Sequence, residues 1–297
     1  MNHLLRELAP LPATAWSMIE EEAKRTLKLK LAARKLVDFV GPLGWEASAV
    51  STGRTEAAQM AGVEARVRKV QPLVELRVPF EVTREAIEAA GRGAKDPDLD
   101  SVREAASAAA VAEDRAVFHG LAAGAITGIM EAAAGAALPL TPDYTAYAGV
   151  VADAANRLRT AGVNGPYAIA LGPRCYTGLT KTTQDGFPVI EHVKRIVDGP
   201  IVWAPGIDGA VVLSQRGGDF ELTVGADFSI GYPRALAQLG DALPPGKHDL
   251  PRAGARSGGA APVREVARLL LDAHAGVLDH LRPLGGVVAH DALKLGR

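Results

Sequence analysis

Asp227-Phe228-Ser229-Ile230-Gly231-Tyr232 is the last stretch of this chain that reads as a packed protein, and it divides the sequence in two. From residue 233 to residue 297 there is no Phe, Tyr, Trp, Ile, Met, Thr, Asn or Cys, and every aromatic residue lies between Trp16 and Tyr232. Working back from Tyr232, the segment Ser214-Gln215-Arg216-Gly217-Gly218-Asp219-Phe220 sets two glycines between the apolar runs 210–213 and 220–224. That spacing predicts a tight hairpin turn. Two more short apolar strands are expected at 167–171 and at 201–203, the latter closing on Trp203-Ala204-Pro205. Thr141 as N-cap and Pro142 at the first helical position predict a helix ending near Gly162. Helices alternating with short strands give an α+β lobe.

Toward the N-terminus the pattern changes twice. After Leu4-Leu5-Arg6-Glu7-Leu8-Ala9-Pro10-Leu11-Pro12, the apolar residues Trp16, Ile19, Ala23 and Leu27 share one face of a helix predicted from Thr14 past Lys30. Gly41-Pro42-Leu43-Gly44-Trp45-Glu46 ends that region, and residues 63–70 and 74–82 then read as strands, with 51–62 as a polar, glycine-containing turn. So long a ribbon cannot bury itself. Ser101 and Glu104 form a capping-box pattern ahead of an alanine-rich helix ending at Gly120.

Composition narrows the function. Hydrophobic residues make up 48% and charged residues 23% of the chain, ordinary for a globular protein with a sizeable core. The net charge of −1, with no block of Lys or Arg, argues against nucleic-acid binding. The single cysteine, Cys175, cannot form an internal disulfide, which points to a reducing, cytoplasmic setting. No run of about twenty apolar residues suggests a membrane span.

The separated motifs just quoted, in this order and spacing over residues 1–232, resemble the encapsulin shell proteins, also known as linocin M18-like bacteriocins. The resemblance implies an α+β fold of the HK97 phage major-capsid type, with a peripheral domain, an axial domain and an extended E-loop. Its boundaries are 1–44 for an N-terminal arm and inner helix, 45–82 for the E-loop, 83–135 for the peripheral domain with its spine helix, 136–228 for the axial domain and 229–232 for a return to the peripheral domain. It also implies an icosahedral homo-oligomer, T=1 by the habit of the group, that encloses a dye-decolourising peroxidase or ferritin-like enzyme held by its C-terminal peptide. Roles in oxidative stress and iron storage go with such cargo. Related shells have also been found outside cells. A secreted bacteriocin or protease, and a phage-derived capsid protein, are the competing readings; a bacteriocin acting alone would elute small on size exclusion.

Carried over residue by residue, the cargo-peptide site falls on Leu27, Leu31, Arg34, Leu36 and Asp38, with Ile230 closing it. The five-fold pore loop falls on Thr183, Gln184, Asp185, Gly186, Phe187 and Pro188, where Asp185 would place a ring of carboxylates that favours cations. Some relatives stack a flavin on a tryptophan; here that position is Glu85, which argues against a flavin, and no other cofactor is expected. No enzyme signature competes. Of seven histidines, His248, His274, His280 and His290 lie in the tail, leaving His3, His119 and His192. His119 reads as a helix C-terminal cap and His192 as a surface residue. Cys175 reads as a small buried residue, no Cys or His spacing suits zinc, and the series Gly120, Gly124, Gly128 lacks the strand and acid of a nucleotide fingerprint.

Residues 233–297 read as translation out of phase. All but Lys247, Ser257 and Lys294 are compatible with codons beginning in G or C, the bias expected when a GC-rich gene is read one base off. Shifting the frame by one base from Gly240 permits Val-Thr-Leu-Tyr-Leu-Gln-Glu-Ser-Met-Thr-Phe, the kind of ending that the resemblance leads one to expect. A slip just after Tyr232 would remove a final strand, expose a sheet edge and impair assembly. The alternative is a genuine Ala/Gly/Pro-rich extension. Residues 263–281 carry an apolar face suited to a helix.

Overall fold

The computed structural model describes residues 4–133, 135 and 137–232, together with the backbone of residues 266–279 and 286–291. A 3-10 turn at Arg6–Leu8 precedes helix α1, Ala13–Lys30. Ala15, Ile19, Ala23 and Leu27 recur every fourth residue along α1 and are buried. A second 3-10 turn, Ala33–Lys35, leads into strand β1, Asp38–Val40.

Strands β2, Ala49–Met60, and β3, Val63–Pro72, form an antiparallel hairpin. The sequence places a long turn over 51–62, but most of that segment is strand, and the reversal falls at Ala61 and Gly62, where Gly62 has φ 75°. Polar residues on an exposed ribbon keep strand geometry when their backbone groups pair across it. Strand β4, Val74–Thr83, is followed by α2, Arg84–Gly91, and α3, Asp100–His119. Ser101 lies inside α3 and donates to Glu81 O at 2.6 Å, so the expected capping box is not formed. Strands β5, Gly120–Leu121, and β6, Ile126–Thr127, pair before α4, Ile129–Ala132, and β7, Leu138–Leu140. Helix α5, Tyr147–Thr160, starts later than expected: Asp143 rather than Thr141 caps the preceding 3-10 turn, accepting from Thr145 N at 2.9 Å.

Next come β8, Tyr167–Leu171; α6, Pro173–Lys181; β9, Thr183–Gln184; β10, Phe187–Pro188; α7, Val189–Val197; β11, Asp198–Trp203; β12, Ala210–Ser214; and β13, Phe220–Val224. Strand β14, Ser229–Gly231, ends the body, and β15, Val266–Asp279, and β16, Gly286–Asp291, come from the tail. Gly217 and Gly218, with φ 83° and 75°, do not close a hairpin: β12 and β13 belong to different sheets, and the glycines turn the chain from one to the other.

By internal contacts the chain divides into residues 1–26, 77–108 and 228–272 in one unit, and 27–76, 109–227 and 273–297 in another. In the first unit, the N-terminal segment runs beside β14. Tyr232 N donates to Leu4 O and Arg6 Nε to Ile230 O, both at 2.7 Å. Residues 229–231 pair antiparallel with 270–272.

The second unit holds a five-stranded sheet in the order β11-β8-β12-β16-β7. Every residue of β8 and β12 is buried, as expected of central strands covered on both faces. Val189, Val193 and Val197, at i, i+4 and i+8 of α7, join Tyr147, Val151 and Leu158 of α5 in one core. Each valine fully removed from water stabilises by about 1.5–3 kcal/mol. A second core joins Ala32, Ala33 and Leu36 to Val117 and Phe118 of α3 and Leu222 of β13. Strand β1 pairs parallel with β13, and β13 pairs with residues 275–279. Within the stretch expected to suit a helix, 263–281, the described residues Val266–Asp279 are a strand, because a ladder of main-chain partners outweighs helix propensity.

Candidate functional site

Helix α1 ends when Leu31 N donates to Leu27 O at 2.9 Å, and the two alanines that follow are held by a carboxylate. Asp114 Oδ1 accepts from Ala32 N at 3.1 Å and Ala33 N at 2.9 Å, and Oδ2 accepts from Ala32 N at 2.9 Å. Alanine suits this corner, since both residues are fully buried. Burial is the main influence on the Asp114 carboxyl and pushes its pKa up to about 6; the Ala33 and Ala32 N–H groups oppose the shift and Glu113 adds to it.

The next residue, Arg34, is gripped by two acids. Its Nε and Nη2 meet Glu113 Oε1 and Oε2 at 2.7 and 2.8 Å, and its Nη1 meets Asp227 Oδ1 at 2.9 Å. Burial works against its charge, but Glu113 first and Asp227 second hold the guanidinium above its ordinary pKa. Arg34 also lies over the Phe39 ring, 5.2 Å from its centroid. Asp38, exposed on β1, accepts from Gly218 N through Oδ2 at 2.6 Å. Between these segments lies a polar cleft of about 110 Å³, lined by Leu36, Asp38, Ser214, Gln215, Asp219 and Phe220 among others.

Of the residues singled out for a peptide site, Leu27, Leu31, Arg34, Leu36 and Asp38 all lie in the second unit and Ile230 in the first. Leu27, Leu31, Leu36 and Ile230 are buried, at 9%, 7%, 4% and 3% exposure; only Arg34 and Asp38 offer polar atoms at the surface. Leu36 and Asp38 line the cleft together. Reading the sequence missed the apolar neighbours Phe39 and Val40, and it missed the buried acids Glu113 and Asp114. The available signal was a pair of adjacent acids inside an alanine-rich helix, where a solvated face would be expected to carry counter-charges.

The other predicted segment, Thr183 to Pro188, is a two-residue hairpin with Asp185 at φ 51° and Gly186 at φ 82°. Positive φ at both central residues is the type I′ pattern, which asparagine, aspartate and glycine supply. The loop stands in solvent with Phe187 exposed, and His192 Nε2 lies 3.3 Å from Gln184 O. Glu85 is an exposed acid in the first turn of α2.

A third surface belongs to the hairpin of β2 and β3. Met60 pairs with Val63, Ala58 with Ala65 and Glu56 with Val67, so one face is apolar near the turn and runs into the Glu56–Lys69 ion pair, while Gln59, Glu64, Arg66 and Arg68 take the other. Met60, Val63 and Val67 are 60–62% exposed.

Nothing in these places is arranged for covalent catalysis. Cys175 is buried with its Sγ 3.2 Å from Tyr147 Oη. Among the described residues no three metal-binding side chains converge and no helix is long and apolar enough to cross a membrane. His3 and the four tail histidines lie outside the described side chains.

Comparison with known proteins bears on the family and the fold. Residues 1–238 match the family Linocin M18, described as encapsulating protein for peroxidase. The type 1 encapsulin shell protein of Rhodospirillum rubrum is 58% identical over 241 residues, covering 78% of this chain and 86% of that one. The protein of the same description from Brevibacterium linens is 47% identical over 235 residues, covering 78% and 88%. Among solved structures, the virus-like particle from Pyrococcus furiosus superposes with a TM-score of 0.58 at 14% identity, covering 93% of this chain and 99% of that one.

Proposed function

Because the chain belongs to the Linocin M18 family of encapsulin shell proteins, we propose that its copies close into an icosahedral T=1 compartment that retains a guest enzyme by the guest's C-terminal peptide. It is a structural shell protein rather than an enzyme, with the α+β capsid fold of the HK97 type, and its copies form a capsid-like assembly. The observation that carries the assembly is the β2–β3 hairpin. An amphipathic two-stranded ribbon is marginal in water, and its exposed Met60, Val63 and Val67 call for a neighbouring surface.

The guest is proposed to be a dye-decolourising peroxidase or a ferritin-like protein, which would tie the shell to oxidative stress or iron storage in the cytoplasm. Asp185 at the tip of the exposed hairpin would favour cations at the five-fold pore. The corner after α1, with Arg34 and Asp38 at its surface, is the proposed inner site for the peptide. Expression beside the neighbouring gene, followed by size exclusion and electron microscopy, tests the reading: closed particles retaining that product are expected. A frame-restored chain that stays monomeric, or empty particles in the presence of the neighbour's product, would refute it.

We further propose that residues 233–297 arise from a one-base slip after Tyr232. The family match covers residues 1–238 and leaves the rest of the tail outside it. Mass spectrometry of the protein from its native host decides the matter: peptides of the shifted frame are expected, and a peptide such as Glu265 to Arg268 would overturn the slip.

A further inference from the structure

Met60 ends strand β2 of the exposed ribbon, directly opposite Val63 across the reversal at Ala61 and Gly62. Its side chain is 62% exposed, on the apolar face that it shares with Val63, Ala58 and Ala65. A thioether so placed is open to any small oxidant that reaches the free subunit. The other sulfurs among the described residues are withdrawn. Met130 is 4% exposed, Met18 is half-buried, and Cys175 is buried with its Sγ against Tyr147 Oη. Met60 is therefore the described sulfur that solvent reaches most, and it sits on a surface that calls for a neighbour.

Oxidation would change what that face can do. A hydroperoxide passes one oxygen atom to the Met60 sulfur: a sulfur–oxygen bond forms and the peroxide O–O bond breaks. The sulfur is oxidised by two electrons, and the peroxide is reduced, its departing oxygen taking up the proton and leaving as water or an alcohol. A flexible apolar side chain becomes a polar one that carries a strong acceptor. Val63, Ala58 and Ala65 beside it have no side-chain donor to offer that oxygen. In the free subunit water satisfies it. Covered by an apolar partner surface it is left without a donor, which weakens each ribbon contact about tenfold or more. The penalty falls on the assembled state alone.

We propose that Met60 is a peroxide-sensitive modification site, reactive in the free subunit and sheltered in the shell, whose sulfoxide keeps an oxidised subunit out of the assembly until a methionine sulfoxide reductase restores the thioether. This rests on the reading above, that the ribbon docks on a neighbouring copy, and adds a redox condition to that docking.

The test exposes intact particles, and subunits obtained by dissociating them, to the same hydrogen peroxide. Peptide mass spectrometry follows each methionine, and light scattering follows reassembly. Met60 is expected to oxidise about tenfold or more faster in subunits than in particles. Oxidised subunits should need about tenfold or more protein to reassemble, and reductase with a thiol should reverse that loss. Met60→Leu, with no sulfur to oxidise, should make reassembly indifferent to peroxide, whereas Met18→Leu should leave it sensitive. Three results would overturn the inference while particles formed before treatment keep the shell reading: equal oxidation of Met60 in subunits and particles, full reassembly of chains carrying its sulfoxide, or sensitivity that persists in Met60→Leu or disappears in Met18→Leu. If the untreated chain forms no particles, the shell reading falls and this inference falls with it.

Discussion

Replacing Asp114 by asparagine is expected to flatten the dependence of stability on pH between about 4 and 6. The carboxyl is buried and its pKa is raised from 3.8 to about 6 in the folded chain, so in that window the folded state holds a proton that the unfolded state has released. Its contribution is therefore fully present below about pH 4 and is lost as pH rises through about 6. At ~1.36 kcal/mol per pKa unit, the rise from 3.8 to about 6 amounts to about 3 kcal/mol per subunit. Scanning calorimetry of the purified assembly at several pH values, wild type against Asp114→Asn, isolates this group because other carboxylates cancel in the difference. Infrared spectroscopy gives an independent reading: a protonated-carboxyl band should titrate near pH 6 and be missing from the variant. Parallel stability curves, or no such band, would show that the carboxylate stays charged and that three N–H···O contacts compensate fully for its burial.

The remaining predictions concern the same corner, the core and the surface. Arg34→Met leaves Glu113 buried at 1% exposure beside an apolar chain, and should destabilise by about 3–5 kcal/mol in chemical unfolding; adding Glu113→Leu should recover most of the loss. Gly128→Ala would drive a methyl group into the backbone of Gly120 and His119, so a loss of about 1–3 kcal/mol is expected from thermal melts. Val67→Asp in the exposed ribbon should leave subunit secondary structure intact by circular dichroism while abolishing particles in electron microscopy. Shells incubated with flavin mononucleotide and dialysed should show no flavin absorbance, whereas Glu85→Trp is the change that would create a stacking surface on α2.

Much of the body was legible because periodicity and burial coincide there. The run Tyr167–Leu171 is apolar throughout and forms an interior strand of its sheet, and Thr183 to Pro188 carries the Asp-Gly pair that a tight hairpin needs. Reading failed where a local signal had a distant partner. Ser101 looks like a cap, yet its hydroxyl goes to Glu81 O, twenty residues away in sequence. Gly217 and Gly218 look like a hairpin turn, yet they pass the chain between sheets, with Asp38 fixing Gly218 from 180 residues away. The candidate site shows the same limit. Arg34 and Asp38 were named only through the family resemblance, and nothing in the local sequence reveals that Glu113, Asp114 and Asp227 converge on that corner, or that the leucines beside them are spent on the core.

The tail and the ribbon illustrate opposite uses of main-chain pairing. Residues 270–272 and 275–279 find partners on β14 and β13, which shows that an open ladder accepts a strand whose composition is nothing like the body's. Hydrogen bonds along a backbone carry no sequence information, so an open edge is a hazard unless side chains decide what may dock. The β2–β3 hairpin also has an open edge on each strand, but there the side chains decide the partner: Met60, Val63 and Val67 favour a shaped apolar surface, and Arg66 and Arg68 on the other face oppose a stray strand.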